Sequence, residues 1–168
     1  MRAACPAPMQ RVRCAANPAL ERRLLEWVFM KRILTCLDSS PRAAKVLAAA
    51  IDLAEKSGAK LVLFRGVGLP PELHEDIFEV SPNQIVERLL VKARGELAEA
   101  AKGVPQQMLE AQAVHVGTPW DVICREAKAR ECDLIVIGSH GYGGLDRVLG
   151  TTAAKVVNHA DRSVLVVR

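Results

Sequence analysis

The chain has 168 residues, half of them hydrophobic and 4% aromatic, with a formal net charge of +4. Such a length is typical of one compact domain that needs no disulfide or metal for stability, and the composition excludes disordered and collagen-like chains. The charge is uneven, because residues 1–29 hold five basic and two acidic side chains (net +3) whereas residues 30–168 hold 18 and 17 (net +1). With so few aromatic residues, this near neutrality argues against a nucleic-acid partner.

Five cysteines, an odd number, occur with no C-x-x-C spacing: Cys5, Cys14, Cys36, Cys124 and Cys132. This pattern does not indicate a disulfide framework. Cys36 and Cys124 lie in apolar stretches, where a free thiol behaves as a small hydrophobe. We therefore predict reduced thiols and a cytoplasmic location. A zinc site is the alternative, but no ligand spacing supports it.

The first 29 residues do not resemble part of the domain. Three prolines interrupt them, and they lack the apolar core of a secretory signal. A short amphipathic helix is predicted over 19–30, and Met30 opens the first predicted strand. We expect Met30 to be the native start, so that 1–29 is an extension outside the native protein and 30–168 is the domain. No apolar run approaches the roughly 18 residues of a membrane-spanning helix, so no membrane partner is predicted.

From Met30 onward, short apolar runs alternate with helical periodicity. In chain order the pattern predicts a strand at 33–37, a helix over 40–58, a strand at 61–67, a helix at 84–102, a strand at 108–116, a helix beginning after Thr118, a strand at 134–137, a helix near 151–160 and a strand at 164–167. Strands that alternate with helices indicate an open, doubly wound α/β sheet with helices on both faces. Periodicity alone does not predict the strand order.

Two helix starts carry sequence signals. Ser40 and Pro41 fit the N-cap and the first position of the first helix, and Thr118 and Pro119 fit those of the third. We expect the first helix to bury the face formed by Ala44, Leu47, Ala48, Ile51 and Ala54. Trp120 is interpreted as a packing residue. His74, His115 and His159 lack metal-ligand spacing and are interpreted as structural or surface residues.

Candidate functional residues follow three predicted strands. Ligands of open α/β sheets bind beyond the carboxyl ends of the strands. Asp38 follows the first strand, Gly66 lies at the end of the second, and a glycine-rich loop follows the fourth at 138–144. This loop leads to Gly150, Thr151 and Thr152 at a helix start.

The glycine-rich loop has the chemistry of a phosphate cradle. Glycines let backbone N–H groups approach an anion closely, a helix N-terminus adds unpaired donors, and the two threonines add hydroxyls. It is neither a Walker A loop nor a G-x-G-x-x-G motif. The alternative is an ordinary strand-to-helix loop whose glycines serve turn geometry.

Asp38 and His140 each have a functional and a structural interpretation. Asp38 would accept a hydrogen bond from a ribose hydroxyl or hold a cation, or it would only stabilise the positive end of the following helix dipole. His140 would contact phosphate or act as a base, or it would only cap or pack. No nucleophile elbow surrounds Ser139, so no catalytic triad is predicted.

The motifs together resemble the universal stress protein family. The segment 138–141, the pair Gly150-Thr151 and the final strand at 164–168 resemble the family's C-terminal signature. The first strand with Asp38 resembles its N-terminal strand and acidic turn, and 117–119 resembles its G-x-P turn. The resemblance covers 30–168.

The resemblance implies a parallel sheet of order 3-2-1-4-5, a homodimer formed through the last strand, and binding of ATP with Mg²⁺ or Mn²⁺. ATP-binding members carry G-x2-G-x9-G-(S/T), whereas here eight residues separate Gly141 from Gly150. By this resemblance Asp38 addresses the ribose and the metal, while Gly66 and Ile137 frame the adenine. The phosphates would be held at Gly138, Gly141, Gly150, Thr151 and Thr152.

The resemblance implies a nucleotide-responsive stress module that binds an adenine nucleotide. One alternative is a slow ATPase or autophosphorylating enzyme, for which the sequence offers no clear cationic clamp on the γ-phosphate; Arg147 is the nearest candidate. The other is a dimeric scaffold that binds no nucleotide.

Overall fold

The computed structural model describes residues 30–69, 82–139 and 149–168. They form a parallel sheet with the strand order β3-β2-β1-β4-β5. In chain order the elements are β1 (Arg32–Cys36), α1 (Ala43–Ser57), β2 (Lys60–Val67), α2 (Pro82–Ala101), β3 (Leu109–Val116), α3 (Pro119–Ala129), β4 (Leu134–Gly138), α4 (Thr151–His159) and β5 (Ser163–Val167).

The predicted fold class is confirmed, and so is the strand order implied by the family resemblance. The predicted helix over 19–30 lies outside the described residues, and the domain limits of 30–168 stay a prediction. Within the described parts of the chain, none of the helices combines the length and the apolar content needed to cross a membrane.

Helices cover both faces of the sheet, and successive side chains of β1 and the residue after it point to opposite faces. Leu34 and Cys36 pack in the core beneath α3 and α4, whereas Ile33 and Leu37 pack in the core beneath α1 and α2. Residues 33–37 are all buried. A strand buried on both faces reads as a continuous apolar run, which is why its position was predictable.

The start and the buried face of α1 differ from the prediction. The hydroxyl of Ser40 donates to Asp38 Oδ1 at 2.6 Å instead of capping the helix, and α1 begins at Ala43. Its buried residues are Val46, Ala50 and Ala54, whereas the predicted core residues Ala44 and Ala48 are exposed. The predicted Ala54 is buried, and Leu47 and Ile51 pack against the same core, so the predicted face is confirmed in part. An alanine-rich helix has little contrast between its faces, which is why Ala44 and Ala48 were included.

The C-terminus of α3 is closed by a Schellman motif that lacks the usual glycine. The amide of Cys132 donates to the carbonyl of Ala127 at 2.9 Å, and that of Glu131 donates to Lys128 at 3.1 Å. Glu131 has a φ of 51°, the left-handed conformation that glycine adopts without steric cost. Its side-chain carboxylate makes only a long, exposed contact to Arg32, at 3.8 Å.

We predict that Glu131→Gly raises the free energy of unfolding by about 1 kcal/mol, because glycine removes the strain of this left-handed residue. Chemical denaturation of both proteins measures the difference. Glu131→Ala is the matched control, since it removes the same carboxylate but keeps a Cβ. Equal stability of the two variants would show that the backbone conformation is not the cause.

Candidate functional site

A cavity of about 570 Å³ lies at the carboxyl ends of β1 and β4. Its volume is in the range of small-molecule sites. The turn after β1, the first turn of α4 and the start of α3 form its walls. Seven of the nine predicted site residues line it, namely Asp38, Gly66, Ile137, Gly138, Gly150, Thr151 and Thr152. The other two, His140 and Gly141, lie outside the described residues, as does Arg147.

The turn after β1 is organised by Asp38. Its Oδ1 accepts the amide of Ser40 at 3.1 Å and the hydroxyl of Ser40 at 2.6 Å, which is the hydrogen bonding of an Asx turn. Ser40 is buried, whereas Asp38 is exposed. Both of these bonds use Oδ1, so Oδ2 keeps acceptor capacity at the cavity wall.

A charged network holds the same turn from the opposite side. The Arg65 guanidinium on β2 donates to the Glu96 carboxylate on α2 and to the hydroxyl of Ser39. Ser39 in turn donates to Glu96 Oε2 at 3.0 Å. The Arg65 side chain is only 15% exposed, so this ion pair is better shielded from water than a surface pair. Asp38 is therefore followed by two residues, Ser39 and Ser40, whose side chains are both hydrogen-bonded.

The first turn of α4 supplies backbone donors to the cavity. Ala154 donates to the carbonyl of Gly150 at 2.9 Å, so the amides of residues 151–153 precede the first bond within the helix. Thr151, Thr152 and Ala153 all line the cavity. The amide of Gly150 itself donates to the carbonyl of Ser139 at 2.7 Å. Gly150 thus lines the cavity as expected, but its amide is used in the bond to Ser139 and is not available to a ligand.

The third wall depends on two glycines. A Cβ at Gly66 would lie 3.0 Å from Val122 Cγ2 and 3.3 Å from Pro119 Cα, so the start of α3 packs directly against the β2 backbone. Gly117 has a φ of 150°, and a Cβ there would lie 2.9 Å from Val122 Cγ1. Its amide donates to the carbonyl of Val67 at 2.9 Å. Only glycine fits both positions closely, and Pro119 consequently becomes part of the cavity wall.

Nine of the described lining residues were not predicted as site residues, and Cys36 and Arg42 are two of them. Cys36 was interpreted as a packing residue, and it is indeed buried, with desolvation raising the pKa of its thiol above the usual value. It nevertheless lines the cavity. Arg42 lines it as well, at the residue before α1. The predicted helix over 40–58 would place Arg42 in its first turn, and nothing in the sequence suggested it as a site residue.

The residues interpreted as structural lie away from the cavity. Trp120 packs against the core beneath α3 and α4, with its ring 4.6 Å from that of His159. His115 contacts Phe64 edge-on at 5.5 Å and lies 3.5 Å from Glu126. His74 lies outside the described residues. Among the residues that the structure describes, no cluster of three His, Cys, Asp or Glu side chains forms a metal site.

The motif order, the sheet and the strand-end cavity can be compared with known proteins. The model of the Universal stress protein family matches residues 30–168. The chain belongs to the universal stress protein family. This match confirms the family that the strand-end motifs predicted.

Relatives of this universal stress protein match the same region. Universal stress protein A homolog 1 of Coxiella burnetii is 32% identical over 141 residues, which covers 82% of this chain and 95% of that protein. The solved structure of universal stress protein UspA from Lactobacillus plantarum is 26% identical with a TM-score of 0.66, covering 83% and 99% of the two chains. A universal stress protein solved in complex with cAMP is 21% identical with a TM-score of 0.55, covering 83% and 97%.

We predict that Gly117→Ala destabilises this universal stress protein by about 1–3 kcal/mol, because its Cβ would meet Val122 and its φ disfavours a side chain. Denaturant midpoints measure the loss. Gly95→Ala on α2 is the matched control, since its Cβ would meet nothing within 4 Å. That substitution is expected to stabilise the protein by about 0.5–1 kcal/mol. A Gly117→Ala protein as stable as the wild type would contradict the packing role of this glycine.

Proposed function

We propose that this universal stress protein binds ATP in the strand-end cavity and acts as a nucleotide-responsive stress module. The observation that carries the proposal is the convergence of seven residues on one cavity of about 570 Å³. They come from separate parts of the chain and were selected by their chemistry or by the family resemblance. The complex of a related universal stress protein with cAMP supports an adenine nucleotide as the ligand class.

The polar and apolar parts of the cavity suit the two ends of a nucleotide. The first turn of α4 offers N–H groups and two threonine hydroxyls, which favour phosphate oxygens, and the positive end of the helix dipole adds to this preference. Gly66, Pro119, Ile123 and Ile137 form an apolar wall that suits the flat face of adenine. Asp38 lies in the turn after β1, where its carboxylate would accept a bond from a ribose hydroxyl.

The residues present fit Mg²⁺ or Mn²⁺ only as a companion of the phosphates. Mg²⁺ keeps several waters and commonly takes one or two carboxylates together with substrate phosphates. Asp38 is the one carboxylate among the described residues that line the cavity, and its Oδ2 keeps acceptor capacity. The metal, when bound, would neutralise phosphate charge, and Asp38 would hold it.

Binding is favoured over hydrolysis because the described lining offers little for a phosphoryl-transfer reaction. The one acidic side chain there, Asp38, already accepts two hydrogen bonds from Ser40 through Oδ1. Those bonds tie it to the turn, and the described lining holds no second carboxylate and no histidine to orient an attacking water. His140, which the sequence offered as a base, lies outside the described residues.

Mg-ATP is expected to raise the thermal midpoint of nucleotide-free protein, because a ligand that binds only the folded state stabilises it. At a concentration of about 100 Kd the gain is about 2.7 kcal/mol. Asp38→Asn should reduce the shift, since the amide keeps an acceptor for the Asx turn but loses the charge that holds the metal.

Asp52→Asn is the matched control for this experiment. Asp52 is an exposed residue of α1 whose side chain pairs with Lys56 away from the cavity. The control protein should respond to Mg-ATP as the wild type does. No shift of the wild-type midpoint at millimolar Mg-ATP, with carried-over nucleotide removed, would refute ATP binding.

We also propose a homodimer formed through β5. Among the described strands β5 pairs only with β4, so its outer edge offers backbone hydrogen-bonding groups. Leu165 on β5 and Val157 on α4 are exposed by 37% and 46%. A second copy that paired or packed against this edge would cover them.

The cytoplasmic location stays a prediction.

Leu165→Lys is expected to convert the dimer to a monomer, because a charged side chain on an edge strand opposes pairing with another chain. Native mass spectrometry at micromolar concentration measures the assembly state. Val91→Lys is the matched control, since Val91 is a 62% exposed apolar residue of α2. The helix α2 packs against β3, which lies at the opposite end of the sheet from β5. A wild type that is monomeric, or a Leu165→Lys protein that stays dimeric, would refute the β5 interface.

A further inference from the structure

The turn that carries Asp38 lies between two cavities. On one side is the strand-end cavity, and on the other is a smaller cavity of about 220 Å³ between α1 and α2. Leu37 and Asp38 line both of them. The smaller cavity is otherwise lined by apolar residues of the two helices, together with Arg65 and Glu96. Because a void supplies no contacts to the groups around it, hydrogen bonds carry a larger share of the positioning of this turn.

The bonds of Ser40 set the conformation of the turn but do not connect it to other elements. Ser40 is two residues beyond Asp38, and its amide and hydroxyl both bond to Asp38 Oδ1. The position of the turn relative to the sheet depends on other contacts. One of them is the bond from the amide of Leu37 to the carbonyl of Phe64, at 2.9 Å. That bond lies one residue before Asp38.

Ser39 connects the turn to β2 and α2 through a closed set of three bonds. Arg65 donates to both Ser39 and Glu96, and the Ser39 hydroxyl donates to Glu96 Oε2 at 3.0 Å. Because Arg65 occupies a lone pair of the Ser39 oxygen, the hydroxyl proton is directed to the carboxylate. Each of the three side chains thus bonds to the other two, which fixes Ser39 in the position next to Asp38.

Glu96 belongs to this network but not to the strand-end cavity. Among the described residues that line that cavity, none comes from α2. Glu96 can then influence a ligand there through its charge or through the turn that it holds. A nearby negative charge disfavours an anionic nucleotide, so its removal would strengthen binding. Loss of the support for the turn would weaken binding, so the two effects differ in sign.

On the basis of the proposed nucleotide site, we propose that Glu96 is a positioning residue for nucleotide binding. It holds Ser39 and Arg65, and these bonds keep the Asp38 carboxylate in place for the ribose and the metal. Such preorganisation raises the affinity, because the turn does not have to be ordered when the ligand binds. The contribution of Glu96 to the affinity therefore depends on the presence of Asp38.

Isothermal titration of nucleotide-free protein with Mg-ATP tests this inference. Ser39→Ala and Glu96→Ala should each weaken binding by about tenfold, which lies within the range of couplings measured within one hydrogen-bond network. Glu96→Gln keeps an acceptor for Ser39 and should lose less affinity than Glu96→Ala. Glu99→Ala is the matched control, since Glu99 is an exposed residue of the same helix that pairs with Lys102. It should bind Mg-ATP as the wild type does.

A double-mutant cycle with Asp38→Ala separates positioning from a general loss of structure. In the Asp38→Ala background, Glu96→Ala should change the affinity by less than about twofold, because the group that Glu96 positions has been removed. A similar loss in both backgrounds overturns the inference. Unchanged or tighter binding by Glu96→Ala alone also overturns it. Ser39→Ala, which leaves the ion pair of Arg65 and Glu96 intact, takes the place of Glu96→Ala in the cycle if that variant does not fold.

Hydrogen exchange decides the question if Asp38→Ala binds too weakly to titrate. Because coupling between two regions is reciprocal, saturating Mg-ATP should slow amide exchange in α2 around Glu96 in the wild type and not in Ser39→Ala. Equal slowing in both proteins, or slowing in neither, overturns the inference while nucleotide binding by the wild type stands. A wild type that binds no nucleotide overturns the proposed function and this inference with it.

Discussion

The position of β1 between β2 and β4 is the constraint on which the site depends. Cys36, the last residue of β1, pairs with Phe64 of β2 on one side and with Ile137 of β4 on the other. In a parallel sheet these pairings bring three carboxyl ends to one edge. The turn after β1 leads to α1 on one face, and the segment after β4 leads to α4 on the other. The cavity is the space that these diverging connections leave.

Hydrogen bonds and packing contacts around the cavity fix the positions of its lining residues. The turn with Asp38 is held by Ser40 on one side and by the bonds between Ser39, Arg65 and Glu96 on the other. The wall at Pro119 exists because Gly66 lets α3 approach the β2 backbone. The Ser40 bond is local, whereas the Arg65 network and the packing at Gly66 join segments that are far apart in the chain. The loss of Arg65 or Glu96 would therefore disturb the turn without removing a described residue that lines the cavity.

Sequence reasoning succeeded for the strands and for the site wherever the signal was local. Apolar runs such as 134–137 predicted β4, and the polar residues immediately after each strand predicted the side of the sheet that carries the cavity. The same reasoning placed the start of α1 too early. Ser40 and Pro41 have the residue types of a helix start, but the Ser40 hydroxyl bonds to Asp38 and the helix begins at Ala43. Arg42 went unrecognised as a consequence. The amide of Gly150 was likewise expected to face a ligand, yet it donates to Ser139, a bond that composition cannot reveal.

The class of fold and most strand-end candidates could be predicted from short-range patterns of apolar, glycine and capping residues, and the family from the resemblance of the ordered motifs. Only the tertiary structure decided which of those residues share one cavity, which donors are already engaged and that Arg42 belongs to the lining. The physical reason is that the direction of a donor and the neighbours of a side chain depend on contacts between distant segments. The approach of Val122 to Gly66 and Gly117 is one such contact, and no periodicity along the chain encodes it.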